Sequence, residues 1–487
     1  MPEIVTPGPV TIAVDQGTSA TKALIVDGEG AVVARASASL TQTHPQPGWV
    51  EQDPEALLDS VRSTVHTLLR DFDGQVAGIG FSTQRESAVA WDAETGRALS
   101  PVLGWQDRRT VDRARSLDAA AGRVREISGL PLDPMFSALK FSWILDEIDP
   151  DRSRAKAGRI ALGTVDSWLL WNLVGEHRIE LGNASRTQLV DLTSGDWSDE
   201  LLDLFDIPRA CLPVLTASDA PAERDVFDAV PLRAVLGDSH AALYGHGVRA
   251  PGDVKVTYGT GSSVMGLTDA VVAGPGLVGT IAWSTARSIA RAFEGNILAT
   301  GATVLWLSQL LASTPDELDA LARTVPDSGG VDVVPAFAGL GAPWWDESAV
   351  GILSGLQLGT TRAHLARAAF ESIALQIEDV LTAAEAEVGA PLATVLADGG
   401  PSRNPWLMQL QADISGRTVS RHNGADLSAL GAARLAAVTA GIADDSVASP
   451  EDHTEFVPDE AFDARGRRRR WSEALHRSRT TPEPAHR

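Results

Sequence analysis

The chain has 487 residues, too many for one hydrophobic core, and at roughly 100–200 residues per domain it predicts two to four domains. With 44% hydrophobic and 22% charged residues it has the composition of an ordinary soluble globular protein, and no apolar run is long enough to span a bilayer. A formal net charge of -23 argues against nucleic acid, whose phosphates would repel the surface, and a single cysteine, Cys211, argues against an intrachain disulfide or a thiolate-rich metal site.

The N-terminus, Met1-Pro2-Glu3-Ile4, lacks the basic start and apolar stretch of an export signal, which together with the lone cysteine predicts a cytoplasmic protein. A strand is expected over 10–15, running through Gln16-Gly17-Thr18-Ser19 into a second strand over 21–26. Asp27-Gly28 then marks a tight turn into residues 31–34, so the N-terminus reads as an antiparallel meander. A helix follows over 54–69, with Asp53 as its N-cap and Pro54 at its first position. The buried strand over 76–81 delivers Ser82-Thr83-Gln84-Arg85-Glu86 at its end, the place where ligands sit in open α/β sheets.

Helices are expected over 137–146 and 166–173, and the chain returns to strand over 234–237, ending at Asp238. Downstream, a strand over 253–257 runs through Tyr258-Gly259-Thr260-Gly261 and out through 262–265, so the opening strand-turn-strand pattern occurs twice. Each turn offers backbone N–H groups and small hydroxyls to an anion with no side chain in the way. Either alone reads as an ordinary glycine hairpin; the pair predicts two like domains holding one nucleotide. Helices over 302–311 and 361–387 come next, then the loop Asp398-Gly399-Gly400-Pro401 and a helix opened by Asn404 and Pro405. The basic run Arg465-Gly466-Arg467-Arg468-Arg469-Arg470, preceded by Asp459, Glu460 and Asp463, reads as the solvated face of a terminal helix.

Some chemistries are absent. None of the lysines Lys22, Lys140, Lys156 and Lys255 is followed by Ser or Thr, so there is no Walker A loop. The histidines show no HExxH pattern, and His240 and His246 read as surface or supporting groups rather than zinc ligands.

Many blocks in order carry a resemblance: Asp15-Gln16-Gly17-Thr18, Pro47-Gly48-Trp49-Val50-Glu51, Thr83-Gln84-Arg85-Glu86, the segment 135–147 with Lys140 and Trp143, Gly163-Thr164-Val165-Asp166-Ser167-Trp168, Asn183-Ala184-Ser185-Arg186-Thr187, Thr257-Tyr258-Gly259-Thr260-Gly261, Pro335-Ala336-Phe337, Gly339-Leu340-Gly341-Ala342-Pro343 and Asp398-Gly399-Gly400. Over nearly its full length the chain resembles the FGGY family of carbohydrate kinases, and within it the glycerol kinases. The resemblance implies an α/β protein of two duplicated actin-like (ribonuclease H-like) ATPase domains around a central cleft, here 1–245 and 246–487. It also implies ATP-dependent transfer of the γ-phosphoryl group to a primary hydroxyl of glycerol or a closely related small polyol.

Carried over residue by residue, the resemblance makes Asp238 the base that takes the acceptor's proton, a role that competes with helix N-capping at this position. It implies that Asp15 holds Mg2+ through water, with Asp238 a second candidate metal ligand. Thr18, Ser19, Lys22, Gly259, Thr260 and Gly261 would cradle the ATP phosphates, and Gly301, Gly400 and Asn404 would touch the adenosine part. Leu305 replaces a usual glutamine there, which leaves the preference for ATP less secure.

On the acceptor side, Arg85 and Glu86 supply the donors and acceptors that hydroxyls require, although an Arg-Glu neighbour pair is more often a surface salt bridge. Trp105 is either an aromatic wall against the carbon chain or simple core packing. Met135 and Ser239 depart from the usual tyrosine and glutamine; each lost partner could cost on the order of 1–3 kcal/mol where a buried hydroxyl goes unpaired. These changes keep a larger acceptor, such as erythritol or a pentulose, as the alternative, and a non-catalytic actin-like ATP-binding sensor as a third reading. The short stretch 222–231 implies no allosteric control by a sugar phosphate. Homo-oligomers are common in the family, but nothing in the sequence fixes a subunit number.

Overall fold

The computed structural model describes residues 8–227, 229–445 and 453–480. Residues 1–4, read above for an export signal, lie outside the described residues. The chain forms two compact units, the first comprising Met1–Arg249, Gly279–Ala292 and Asp426–Pro450, the second Ala250–Val278, Phe293–Ala425 and Glu451–Arg487. The single division expected at 245/246 lies near the first crossing but omits the two returns, 279–292 and 426–450.

In the first unit a five-stranded sheet has the order Leu232–Gly237, Val76–Thr83, Val10–Gln16, Ala20–Val26, Val32–Ser39. The strands Val10–Gln16, Val76–Thr83 and Leu232–Gly237 run parallel, and the other two complete an antiparallel meander. Alternate residues of the first strand face opposite covers, as a period of two requires. Val10, Ile12 and Val14 cluster with Leu57, Val61 and Val65 of the helix Pro54–Arg70. Ala13, with Leu24 and Val26, meets Ala429 and Ala433 of the helix Leu427–Thr439.

That second helix explains the return of 426–450. Its small residues let backbones touch: a Cβ on Gly431 would lie 1.8 Å from the carbonyl oxygen of Ala241, and one on Gly80 would lie 2.4 Å from that of Ala432. Only glycine permits such approaches.

The second unit holds five strands hydrogen-bonded in the order Ser262–Thr268, Val254–Tyr258, Thr394–Gly399, Thr418–His422, His453–Phe456. Its middle repeats the first sheet: Val254–Tyr258 pairs antiparallel with Ser262–Thr268 on one side and parallel with Thr394–Gly399 on the other. The helix Arg362–Val388 supplies much of the core, from Ala366 through Phe370, Ile373 and Ile377 to Leu381.

The arginine run corrects an expectation. It lies on the helix Ala464–Thr480, but only part of it is solvated: Arg467 is 3% exposed and reaches Asp332 and Glu371, each at 2.5 Å, while Arg468 pairs with Glu378. Among the described residues no helix is long and apolar enough to cross a membrane.

Candidate functional site

Parallel strands end on the same edge of a sheet, so the residues that follow them are neighbours whatever their separation in sequence. In the first unit Gln16 and Gly237 are both in register with Thr83, which brings Asp15, Arg85-Glu86 and Asp238 to one edge. Asp15 is in register with Ser82, whose hydroxyl donates to Oδ1 at 2.8 Å. Burial, assisted by the nearby charges of Asp238 and Asp426, pushes its pKa up to about 6 against the opposing effects of the Ser82 bond and Lys22. Lys22 itself pairs with Asp426 at 2.7 Å.

Asp238 opens the helix Asp238–Gly245, but the capping position belongs to Gly237, so the carboxylate is not the N-cap. Its Oδ1 accepts from the backbone N–H of Ser239 at 2.6 Å and from Nε of Arg85 at 3.2 Å. A Cβ on Gly237 would lie 2.7 Å from Cδ of Arg85, so glycine is what lets the arginine lie across this strand end. Nη1 of Arg85 also reaches Nε2 of His240, at 3.3 Å. Asp238 and Ser239 are half-buried, while Arg85 is 7% exposed.

Glu86 has a left-handed backbone, φ 61, unusual outside glycine and frequent where function sets the geometry. Several bonds hold it there. Arg186 Nε donates to its carboxylate at 2.6 Å, and its carbonyl accepts from Ser137 Oγ at 3.0 Å and Lys140 Nζ at 3.2 Å. Lys140 also donates to the carbonyl of Met135, so one buried side chain ties together two residues expected from sequence on the acceptor side. Burial lowers the Lys140 pKa to about 7, although Glu86, Asp107 and Asp133 oppose the shift. The indole of Trp105 donates to Oγ1 of Thr18 at 3.1 Å; half-buried and so tied to the first loop, it is not simple core packing. In that loop Thr18 is half-buried, and Ser19 and Lys22 are exposed.

In the second unit a cavity of about 740 Å³ is lined by Gly259, Thr260, Gly301, Leu305, Gly400 and Asn404 among others, so most of the nucleotide-side residues expected from sequence meet in one place. Gly301 donates its N–H to the carbonyl of Gly259 at 3.0 Å, and a Cβ on it would lie 2.5 Å from that oxygen. Gly261 is not among the lining residues; a Cβ there would lie 2.3 Å from the carbonyl of Ile297. Asn404 lines the cavity but its amide is committed, capping the helix Pro405–Ser415 through Oδ1 and donating to Asp319 at 2.7 Å. Leu305 is 50% exposed and presents an apolar wall. A separate cavity of about 620 Å³ in this unit, walled by Trp306, Val334 and Phe337, contains none of the expected residues.

Sequence reasoning left several groups without a role. Ser82 could have been found from strand alternation, and Arg186 and Lys140 lay inside recognised blocks. Asp426 gave no signal, since 404 residues separate it from Lys22. Among the described residues no group of three His, Cys, Asp or Glu is arranged to hold a metal ion directly.

A carboxylate at a strand end, flanked by an arginine and a glutamate, suits proton abstraction from a hydroxylated ligand. Comparison with known proteins points the same way. A family model for the N-terminal domain of the FGGY family of carbohydrate kinases matches residues 10–225, and one for the C-terminal domain matches residues 254–440. A glycerol kinase from Rhizorhabdus wittichii is 44% identical over 449 residues, 88% of each chain. Among solved structures, Plasmodium falciparum glycerol kinase with ADP has a TM-score of 0.92 at 26% identity, covering 98% of this chain and 99% of that one. Xylulose kinase from Rhodospirillum rubrum has a TM-score of 0.86, also at 26% identity, covering 96% and 98%.

Proposed function

Since the chain belongs to the FGGY family of carbohydrate kinases, we propose that it transfers the γ-phosphoryl group of ATP to a primary hydroxyl of glycerol or a closely related small polyol. The observation that carries the reading is the contact of Arg85 with Asp238 beside Glu86 at the strand ends. Asp238 takes the proton of the attacking hydroxyl as its oxygen bonds to the γ-phosphorus and the bond from that phosphorus to the β,γ-bridging oxygen breaks, leaving ADP. Arg85 donates to, and Glu86 accepts from, the acceptor's other hydroxyls, and Trp105 lies against its carbon chain. In the first unit Thr18, Ser19 and Lys22, and in the second Gly259, Thr260 and Gly261, each offer hydroxyls, an ammonium or backbone N–H groups to phosphate. Gly301, Gly400 and Asn404 form the wall for the nucleoside.

Mg2+ fits the residues present. Asp15 is a carboxylate whose ionised form is disfavoured by burial and by neighbouring acidic groups, so a hydrated cation would stabilise it, and no all-protein ligand cage is required. The ion would neutralise phosphate charge, with Asp15 holding it through water and Asp238 a second candidate carboxylate. A kinase supplied with ATP, carrying one buried free thiol, suits the cytoplasm.

Met135 and Ser239 favour a second reading, a larger acceptor such as erythritol or a pentulose, because both positions lack the hydroxyl or amide reach expected for glycerol. An acceptor panel read by ADP release decides between the two. Catalytic efficiency highest for glycerol supports the first, and efficiency far higher for a four- or five-carbon acceptor replaces it. Asp238→Asn should lower turnover by about 10²–10⁴-fold with ATP binding retained. A wild type no faster than this variant on every acceptor would leave only an ATP-binding sensor.

A further inference from the structure

We infer that His240 is a positioning residue for the acceptor site, anchoring the guanidinium of Arg85. The inference rests on the kinase reading and deepens it.

A guanidinium only donates hydrogen bonds, so the His240 Nε2 facing Nη1 of Arg85 at 3.3 Å must accept. The ring is then neutral, with its proton on Nδ1. Thr280 Oγ1 lies 3.4 Å from the same nitrogen and 2.9 Å from Ser185 Oγ, so a hydroxyl pair from other parts of the first unit lies beside the imidazole. His240 is 0% exposed and sits two residues after Asp238, in the first turn of the same helix. The segment 237–240 thus meets Arg85 in three ways: Gly237 under its aliphatic chain, Asp238 on Nε and His240 on Nη1.

Two anchors on a planar group fix its plane, which one anchor cannot do.

The test begins with wild-type ADP release on the acceptor panel, which judges the kinase reading by itself; a wild type that turns over no acceptor removes both the reading and this inference. On the best acceptor, His240→Leu should raise the acceptor KM by about 10- to 100-fold, the effect of losing a hydrogen bond to a charged group, with the ATP KM essentially unchanged. His240→Gln, whose Oε1 can accept near the place of Nε2, should recover most of the loss. In an Arg85→Ala background His240→Leu should add nothing further to the acceptor KM. An unchanged acceptor KM in His240→Leu, no recovery in a folded His240→Gln, or a full additional loss in the Arg85→Ala background would each overturn the inference. Should His240→Leu fail to fold, His240→Asn, whose shorter amide does not reach the position of Nε2, takes its place in each comparison.

Discussion

Asp15 combines a functional need with a structural cost. Its pKa, raised by burial and then by Asp238, means that between about pH 4 and 6 the folded protein keeps a proton that the unfolded chain has shed. Stability therefore falls as pH rises through that window, and the deficit, at most about 3 kcal/mol for a shift of about two units, persists above it. Asp15→Asn should melt higher than wild type at about pH 7.5, with the difference vanishing as pH falls toward 4. Activation by Mg2+ should run the other way, because only the ionised carboxylate attracts the cation: apparent Mg2+ affinity in the wild type should weaken about tenfold per unit below pH 6. A titration of rate against Mg2+ at several pH values checks this. Lys140 supports the backbone of Glu86, the proposed acceptor ligand. Lys140→Met leaves the carbonyl of Glu86 short of a donor and should raise the acceptor KM by about tenfold or more while sparing that of ATP, as steady-state kinetics would show. The sequence placed Arg85, Glu86 and Asp238 at the ends of buried strands, and the family resemblance supplied their expected roles. It left His240 as a surface or supporting group with no named contact and gave Arg186 no role, because the partners of both depend on a strand order that periodicity does not encode.

The elements followed their local signals where those signals were strong. Asp53 caps the helix Pro54–Arg70 through its carboxylate at 2.9 Å, and Asn404 caps the helix Pro405–Ser415. The terminal arginine helix was misread because charge alone does not say which face is buried. Glu371 accepts from both Arg367 and Arg467, and Asp332 accepts from Arg467, with these side chains largely out of water. Arg467→Ala would strand buried carboxylates and should destabilise the protein by about 3–5 kcal/mol, whereas removal of the exposed Arg469 should change little. Urea unfolding of the two variants compares them directly. At the helix Leu427–Thr439, Gly431→Ala places a methyl group against the backbone of Ala241 and should cost about 1–3 kcal/mol or more, visible as a lower melting temperature.

At the scale of the molecule, the repeated strand order was readable from the two glycine turns, and the family resemblance from the blocks around them. The interleaving of the units was not, because a helix of small residues such as Leu427–Thr439 carries no mark of which sheet it covers. A fragment ending at Arg249 should lack the cover for Ala13, Leu24 and Val26 and aggregate, with adding 426–450 in trans improving its recovery in the soluble fraction. The chain passes between units at 249/250, 278/279, 292/293, 425/426 and 450/451. A ribosome therefore cannot release a finished first unit and then begin the second. The nascent polypeptide must wait, its opening sheet bare on one side, until residues 426–450, the last of the segments assigned to that unit, emerge.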